Sequence, residues 1–439
     1  RRPRSEMSAS AGRILVRAGK DPLVPMSAAR SLSVRPDGVF GTNAGNMLFY
    51  TATWRTLLTE DAELVADGYA TERRPSQGEA DRINAEYDRL VIPLANAFRR
   101  SFMPQLDRLT EVIRRLDVPV SVLGVGAQFP LTADVTDAPP QLQDSVRAFV
   151  SAVLDRSPSI GVRGGLTRDF LMSLGFSDDQ IDVIGCPSLS GFGGDGALKR
   201  RRPLRKSSRL AVTYSPYLRD AGAFVRKVTE AFPNSYVVPQ TVEALALMLW
   251  GEPTRFAAQA DLPESVDHEL YRTDRMRFFV DATTWIDTLR DRDLVVGTRI
   301  HGTIAGLLAG VPSLLIAHDS RTRELAEFHA IPYASKRVLG RGNVKRLYES
   351  ADFDAFTKRH PQNVETFGRF LDRHGLDHVL RESQPRFDRE IARVPLAPAV
   401  HTRAADGAAS ERTLRDRLDR QVRRVWWSLD RRVKRVAGD

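Results

Sequence analysis

The stretch from Asp293 to Pro312 constrains this chain more than any other. Leu294-Val295-Val296 is an apolar, β-branched run of strand length. After Gly297-Thr298-Arg299 comes a compact apolar helix, in which Ala305, Gly306 and Ala309 let a neighbour approach closely. Gly310 and Pro312 supply its stop signal. Ser313-Leu314-Leu315-Ile316 then reads as a second buried strand. Such a β-α-β unit implies parallel strands joined by a right-handed crossover. Open parallel sheets bind ligands where strands end and helices begin. Arg299 and His301 stand at that junction, and the helix start adds free N–H groups and the positive end of its dipole. An arginine fork, a histidine and a helix N-terminus together describe an anion site with a proton donor beside it.

The same alternation runs through most of the chain. In the first half, strands are expected near Leu90 to Ile92, Val118 to Val125, Ser159 to Val162 and Ile181 to Ile184. Helices are expected around Phe102 to Arg115 and Ser145 to Leu154, and a glycine-rich turn at Gly41 to Asn46 leads into a helix from Met47 to Leu58. In the second half, strands are expected near Leu210 to Tyr214, Tyr236 to Pro239, Met276 to Val280, Leu294 to Val296 and Leu314 to Ile316. Glycines from Gly191 to Gly196 and a basic run from Lys199 to Lys206 separate the two sets, as in a linker. The fold class is therefore α/β, with two doubly wound Rossmann-like domains facing a cleft. The expected divisions are a weakly ordered tail over 1–35, an N-terminal α/β domain over 36–195, a linker over 196–206, a C-terminal α/β domain over 207–390, a second linker over 391–410 and a basic amphipathic helix over 411–439.

Composition narrows the class further. No run approaches eighteen uninterrupted apolar residues, and Cys186 is the single cysteine, so a spanning helix and an intrachain disulfide are both excluded. A cytoplasmic protein is the simplest expectation. The 65 basic against 55 acidic residues give a net charge of +10. The aromatic-interleaved basic surface of a single-strand binder is absent, so no nucleic-acid partner is expected; anionic substrates and basic tails account for the excess. The eight histidines show no paired metal-ligand spacing and no carboxylate cluster stands out, so neither metal nor cofactor is expected. Gly124-Val125-Gly126 follows a strand, but Phe129 occupies the place of the third glycine of a dinucleotide loop.

Several polar residues share the strand-end position of Arg299 and His301. Arg163 leaves the strand Ile160-Gly161-Val162, Gln240 follows Tyr236-Val237-Val238-Pro239, and His318, Asp319 and Arg321 follow Ile316. Arginine suits such a place because its planar fork binds carboxylate or phosphate through two parallel bonds. His301 has two roles open to it, hydrogen-bonding a phosphate or giving a proton. Asn43, Gly45 and Asn46 have a simple explanation as turn formers. Cys186 is most simply a small buried residue.

Arg299-Ile300-His301-Gly302 resembles the Arg-Leu-His signature of the polysaccharide pyruvyl transferase family, with isoleucine in place of leucine. His318-Asp319-Ser320-Arg321 is similar to the continuation seen in part of that family. Asn43-Ala44-Gly45-Asn46 is similar to its first turn. Gly161-Val162-Arg163, Leu174-Gly175 and Gly185-Cys186-Pro187-Ser188 look like its central block. The likeness spans roughly residues 38 to 335. It implies a glycosyltransferase-B-like fold and transfer of the enolpyruvyl group of phosphoenolpyruvate onto two hydroxyls of a sugar, forming a pyruvate ketal on a cell-surface polysaccharide or its lipid-linked precursor. It also implies that Arg163 and Arg299 grip the donor from the two sides of the cleft, with Ile300, Gly302, Asn43, Gly45, Asn46, His318, Asp319 and Arg321 around it and His301 catalytic; Gln240 joins the substrate-binding set from its strand-end position.

Two rivals stand beside this reading. A two-domain glycosyltransferase using a nucleotide-sugar would carry a similar turn, but many place a ribose-binding glutamate where this chain has Ala305. A non-catalytic polysaccharide-assembly protein would not need an intact Arg-x-His. Near the end, Leu414, Leu418, Val422, Val425, Leu429, Val433 and Val436 form one apolar stripe, with arginines on the other faces and Trp426 and Trp427 mid-helix. That pattern suits a helix lying on an anionic membrane face, a helix packed on the domain, or a short coiled coil.

Overall fold

The computed structural model describes residues 12–34, 38–41, 43–129, 137–199, 201–252, 254–256, 261–340, 343–401 and 421. The C-terminal apolar stripe and most of the basic helix expected over 411–439 lie outside them.

Two parallel sheets organise the described chain. The first takes β1 (Arg13–Val16), β2 (Glu63–Ala66), β3 (Arg89–Pro93) and β4 (Val120–Leu123) in the order β2-β1-β3-β4. A parallel bridge between Val125 and Val162 continues it into the pair β5 (Ile160–Val162) and β6 (Ile181–Val183). The second sheet takes β7 (Leu210–Thr213), β8 (Tyr236–Val238), β10 (Leu294–Gly297), β11 (Ser313–Ala317) and β12 (Tyr333–Ser335) in the order β12-β11-β10-β7-β8. β9 (Arg277–Phe278) joins its edge through a bridge from Met276 to Val237 and pairs antiparallel with β13 (Val400–His401). The inner strands β4, β7, β10 and β11 are buried along their whole length, as expected where helices cover both faces.

The crossover read from Asp293 to Pro312 forms as expected. β10 and β11 are parallel, in register Val295 to Ser313, with the helix Ile300–Leu308 between them. Two expectations need correction. The segment taken as a weakly ordered tail supplies β1, which pairs with both β2 and β3 at the centre of the first sheet. The segment taken as the linker 391–410 supplies β13, and Ala397 accepts a hydrogen bond from Thr284 at 3.0 Å.

The divisions expected in sequence do not separate the contacts in space. Leu32, Val39 and Phe40 join the core of the second half, and Phe40 meets Phe278 edge-to-face at 6.0 Å. In the other direction, the helix Asp354–Arg373 returns to the first sheet. His374 at its end meets Ser121 at 3.1 Å and Ser159 at 2.9 Å, and Arg373 pairs with Asp182 at 3.0 Å. The basic run between the sheets is docked, because Lys199 donates to the Arg292 carbonyl and Arg201 to the Tyr348 carbonyl. These exchanges tie the two sheets to each other.

Candidate active site

The helix Ile300–Leu308 begins at the end of β10 with Arg299 as its N-cap, and its first-turn N–H groups have no acceptor within the helix. Ile300 itself is buried in the core, so only its backbone faces the cleft. Gly302 backs onto the second sheet: a Cβ there would stand 2.5 Å from Thr213 Cγ2 and 2.9 Å from the Gln240 amide nitrogen. That amide nitrogen, on a residue 2 % exposed, is buried without a hydrogen-bond partner.

Arg299 is held by one bond, from Nε to the Tyr214 carbonyl at 3.1 Å, and its Nη2 is buried and unpaired. Burial lowers its pKa to about 10, and neighbouring Arg321 adds to the fall. Arg163 enters from β5 of the opposite sheet. It is 3 % exposed, donates from Nη2 to the Ala95 carbonyl, and leaves Nε unpaired. Burial lowers its pKa to about 10 as well. The Gly-x-Gly of the sequence has its explanation here, since the Arg163 side chain fills the place a Cβ on Gly126 would take.

His301 lies between these arginines. A Cβ on Gly45 would stand 2.7 Å from His301 Cβ and Cγ, so the turn from the first half rests directly on the imidazole. Asn43 and Asn46 build that turn: Asn43 Oδ1 accepts the Gly45 N–H at 2.8 Å, and Asn46 Nδ2 donates to the Phe40 carbonyl at 2.7 Å. Asn43 also bridges Thr241, and Ala44 donates to the Gln240 carbonyl at 2.8 Å, which ties the turn to the second sheet. Gly45 packs directly against His301. Burial, then the charges of Arg163, Arg321 and Arg299, push the His301 pKa down to about 3. The imidazole is therefore neutral at physiological pH while no anion lies beside it.

The loop after β11 completes the cluster. Asp319 caps the helix Ser320–His329, accepting from Thr322 at 2.8 Å, and pairs with Arg321 at 3.1 Å. Burial opposes the Asp319 charge, but Arg321, His318 and Thr322 outweigh it and its pKa falls. Arg321 Nε and His318 Nδ1 remain buried and unpaired. Ser320 exchanges hydrogen bonds with Phe129 of the first half, which fixes this loop across the cleft.

The structure adds residues that no pattern marked. Arg99, after β3, has an unpaired buried Nε and feels the charge of Arg321. Glu324, 5 % exposed, holds Thr167 through both oxygens near Arg163. Glu264, 1 % exposed, accepts from the Tyr214 hydroxyl at 2.6 Å beneath Arg299 and leaves its other oxygen unpaired. A separate groove of about 490 Å³ opens beside Tyr236, at the start of β8 and away from this cluster. Its Arg277 and Arg292 pair with Asp274 and Asp291, and its Arg275 donates to the carbonyls of Ser235, Thr229 and Phe232.

Unpaired donors buried together are costly unless an anion or another acceptor meets them. Nε of Arg163, Nη2 of Arg299, Nε of Arg321 and the Gln240 amide all stand in that condition around His301. Two parallel sheets, with buried unpaired guanidinium nitrogens gathered near their strand ends, define the class as a two-sheet α/β protein. The family model of polysaccharide pyruvyl transferase matches residues 43–320, and the chain belongs to that family. No curated protein sequence matches the chain. Among solved structures, the fold is similar to a Listeria monocytogenes protein assigned as a UDP-N-acetylglucosamine 2-epimerase, at 12% identity and a TM-score of 0.44 over 83% of this chain and 97% of that one. It is also similar to the UDP-GlcNAc 2-epimerase of Methanocaldococcus jannaschii in complex with UDP-GlcNAc and UDP, at 10% identity and a TM-score of 0.43 over 82% of this chain and 99% of that one.

Proposed function

We propose that the enzyme transfers the enolpyruvyl group of phosphoenolpyruvate onto two hydroxyls of a saccharide, free or lipid-linked, to form a cyclic pyruvate ketal. The observation that carries this reading is the set of unpaired buried donors around a neutral histidine. Phosphoenolpyruvate offers a carboxylate and a phosphate on adjacent atoms. Arg163 and Arg299, from opposite sheets, suit bidentate binding of the two groups, and the first turn of the Ile300–Leu308 helix supplies further N–H donors.

The chemistry needs a proton on the donor's methylene carbon, which makes C2 electrophilic. One sugar hydroxyl then adds to C2, phosphate leaves, and a second hydroxyl closes the ring. His301 is the proton carrier in this reading. The donor's negative charge beside it opposes the arginines and favours the imidazolium. The same guanidinium groups stabilise the charge that collects on the departing phosphate. The reading is tested by incubating the protein with phosphoenolpyruvate and a panel of lipid-linked and nitrophenyl saccharides. The expected result is phosphate release matched to a gain in acceptor mass equal to an added pyruvate ketal. Release without acceptor gain, or turnover with nucleotide-sugars instead, would overturn it.

A further inference from the structure

Beside the cluster around His301 lie an aromatic ring and a cation from the two halves. From the second half comes Tyr217, on the loop after β7, with 59% of its surface exposed. An exposed tyrosine alone means little, but this one is braced. Its ring meets Phe256 edge-to-face at 5.0 Å, and its hydroxyl accepts from Arg255 at 2.9 Å. Arg255 is held in turn by Glu243 at 3.1 Å. The Arg299 guanidinium lies 5.8 Å from the Tyr217 ring centre, so the platform adjoins the donor clamp directly. From the first half comes Arg99, set against Phe102 at 6.0 Å and within reach of the charges of Arg321 and the Tyr217 hydroxyl. Arg99 makes no ion pair among the described residues, and its Nε is buried and unpaired.

Arg99 stands apart from the groups that bear directly on His301, which are Arg163, Arg299 and the Asp319-paired Arg321. Its own neighbours are Tyr217 and Arg321. A hexose presents one face of C–H groups that rests on an aromatic ring, while its rim of hydroxyls needs polar partners. Tyr217 supplies the first need. The Arg99 Nε, buried and unpaired among the described residues, calls for an anion on the same molecule.

We propose that Tyr217 and Arg99 form the acceptor subsite and that the acceptor is an anionic saccharide. Its sugar ring lies on Tyr217, and a phosphate or carboxylate substituent close to that ring pairs with Arg99. This rests on the donor reading above, because it takes the inner clamp to be filled by phosphoenolpyruvate.

The test uses full-length protein saturated with phosphoenolpyruvate, titrated calorimetrically with glucose 1-phosphate, galactose 1-phosphate, glucuronate and the matching methyl glycosides. The anionic sugars are expected to bind about tenfold more tightly than the neutral ones. Arg99→Ala should erase that preference, Arg99→Lys should keep part of it, and Tyr217→Ala should weaken anionic and neutral sugars alike. All three variants should bind phosphoenolpyruvate as the parent does, which also shows that they are folded. A preference for the sugar phosphates assigns the charge to a phosphate linkage, and one for glucuronate assigns it to a uronic acid. Equal binding of charged and neutral sugars would overturn the proposal. So would a tenfold loss of phosphoenolpyruvate affinity in Arg99→Ala, which would place Arg99 in the donor clamp. If the parent protein fails to bind phosphoenolpyruvate, it is the donor reading that fails, and sugar titration of the protein alone, with the same preference expected, still tests Tyr217 and Arg99.

Discussion

Binding of phosphoenolpyruvate should be coupled to proton uptake at His301. In the empty site burial and the three arginines hold its pKa at about 3. A unit negative charge about 4 Å away, at an effective dielectric constant of about 20, is worth about 4 kcal/mol. That energy corresponds to a rise of about 3 pKa units, to about 6 in the complex. The sign follows from linkage. The bound state holds the extra proton below pH about 6 and loses it as pH rises through that value, so the His301 contribution strengthens binding by roughly tenfold at pH 5 and fades above pH 7. Calorimetry in pairs of buffers with different ionisation heats counts the protons. The donor's own phosphate also changes protonation on meeting arginines, so the informative quantity is the difference between the parent and His301→Asn. That difference should approach one proton near pH 5 and vanish near pH 8. Equal proton counts in the two proteins from pH 5 to pH 8 would refute this account and leave His301 as a neutral hydrogen-bond donor.

Other outcomes follow from the same geometry. Arg299→Lys keeps the charge and loses the fork, and is expected to cost nearly as much as Arg299→Ala, about 3 kcal/mol or roughly a hundredfold in turnover; near-normal turnover would remove Arg299 from the clamp. Gly45→Ala drives a methyl group into His301 and should cost about 1–3 kcal/mol of stability along with activity; an unchanged melting temperature would show that the turn yields. His329 and His374 are buried neutral with pKa pushed down to about 3, chiefly by burial. Below an unfolded pKa of about 6.5 the unfolded chain binds the protons that the fold refuses, so each residue should remove about 2 kcal/mol of stability by pH 5, read as a lower urea midpoint than at pH 7.5. Removing residues 405–439 should leave turnover on soluble acceptors intact and abolish co-sedimentation with anionic vesicles at low salt; a full-length chain that ignores such vesicles refutes the membrane role of the basic stripe.

The parts of this molecule that could be read in the sequence are those where local pattern and tertiary role coincide. Leu294 to Pro312 carries its strand, turn and helix stop within one stretch, so the place of Arg299 and His301 followed from periodicity alone. Arg13–Val16 failed that test because its four residues sit in an arginine- and serine-rich context, yet pairing on both edges makes it the centre of a sheet. Pairing is a long-range property that no short window contains. The same distinction divides the site. Asn43 and Asn46 looked like ligands and like turn formers, and their side chains are engaged in the turn. Gly45 looked like a turn glycine, and it is the residue pressed on His301 from the other half. Arg99 and Tyr217 had no signal, because loops carry no period and their meaning comes from what faces them across the cleft. An active site assembled between two sheets therefore announces its strand-end residues in sequence and conceals its loop residues. Under the acceptor proposal, substrate choice is for that reason better read from Arg99 and Tyr217 than from the motif that marks the family.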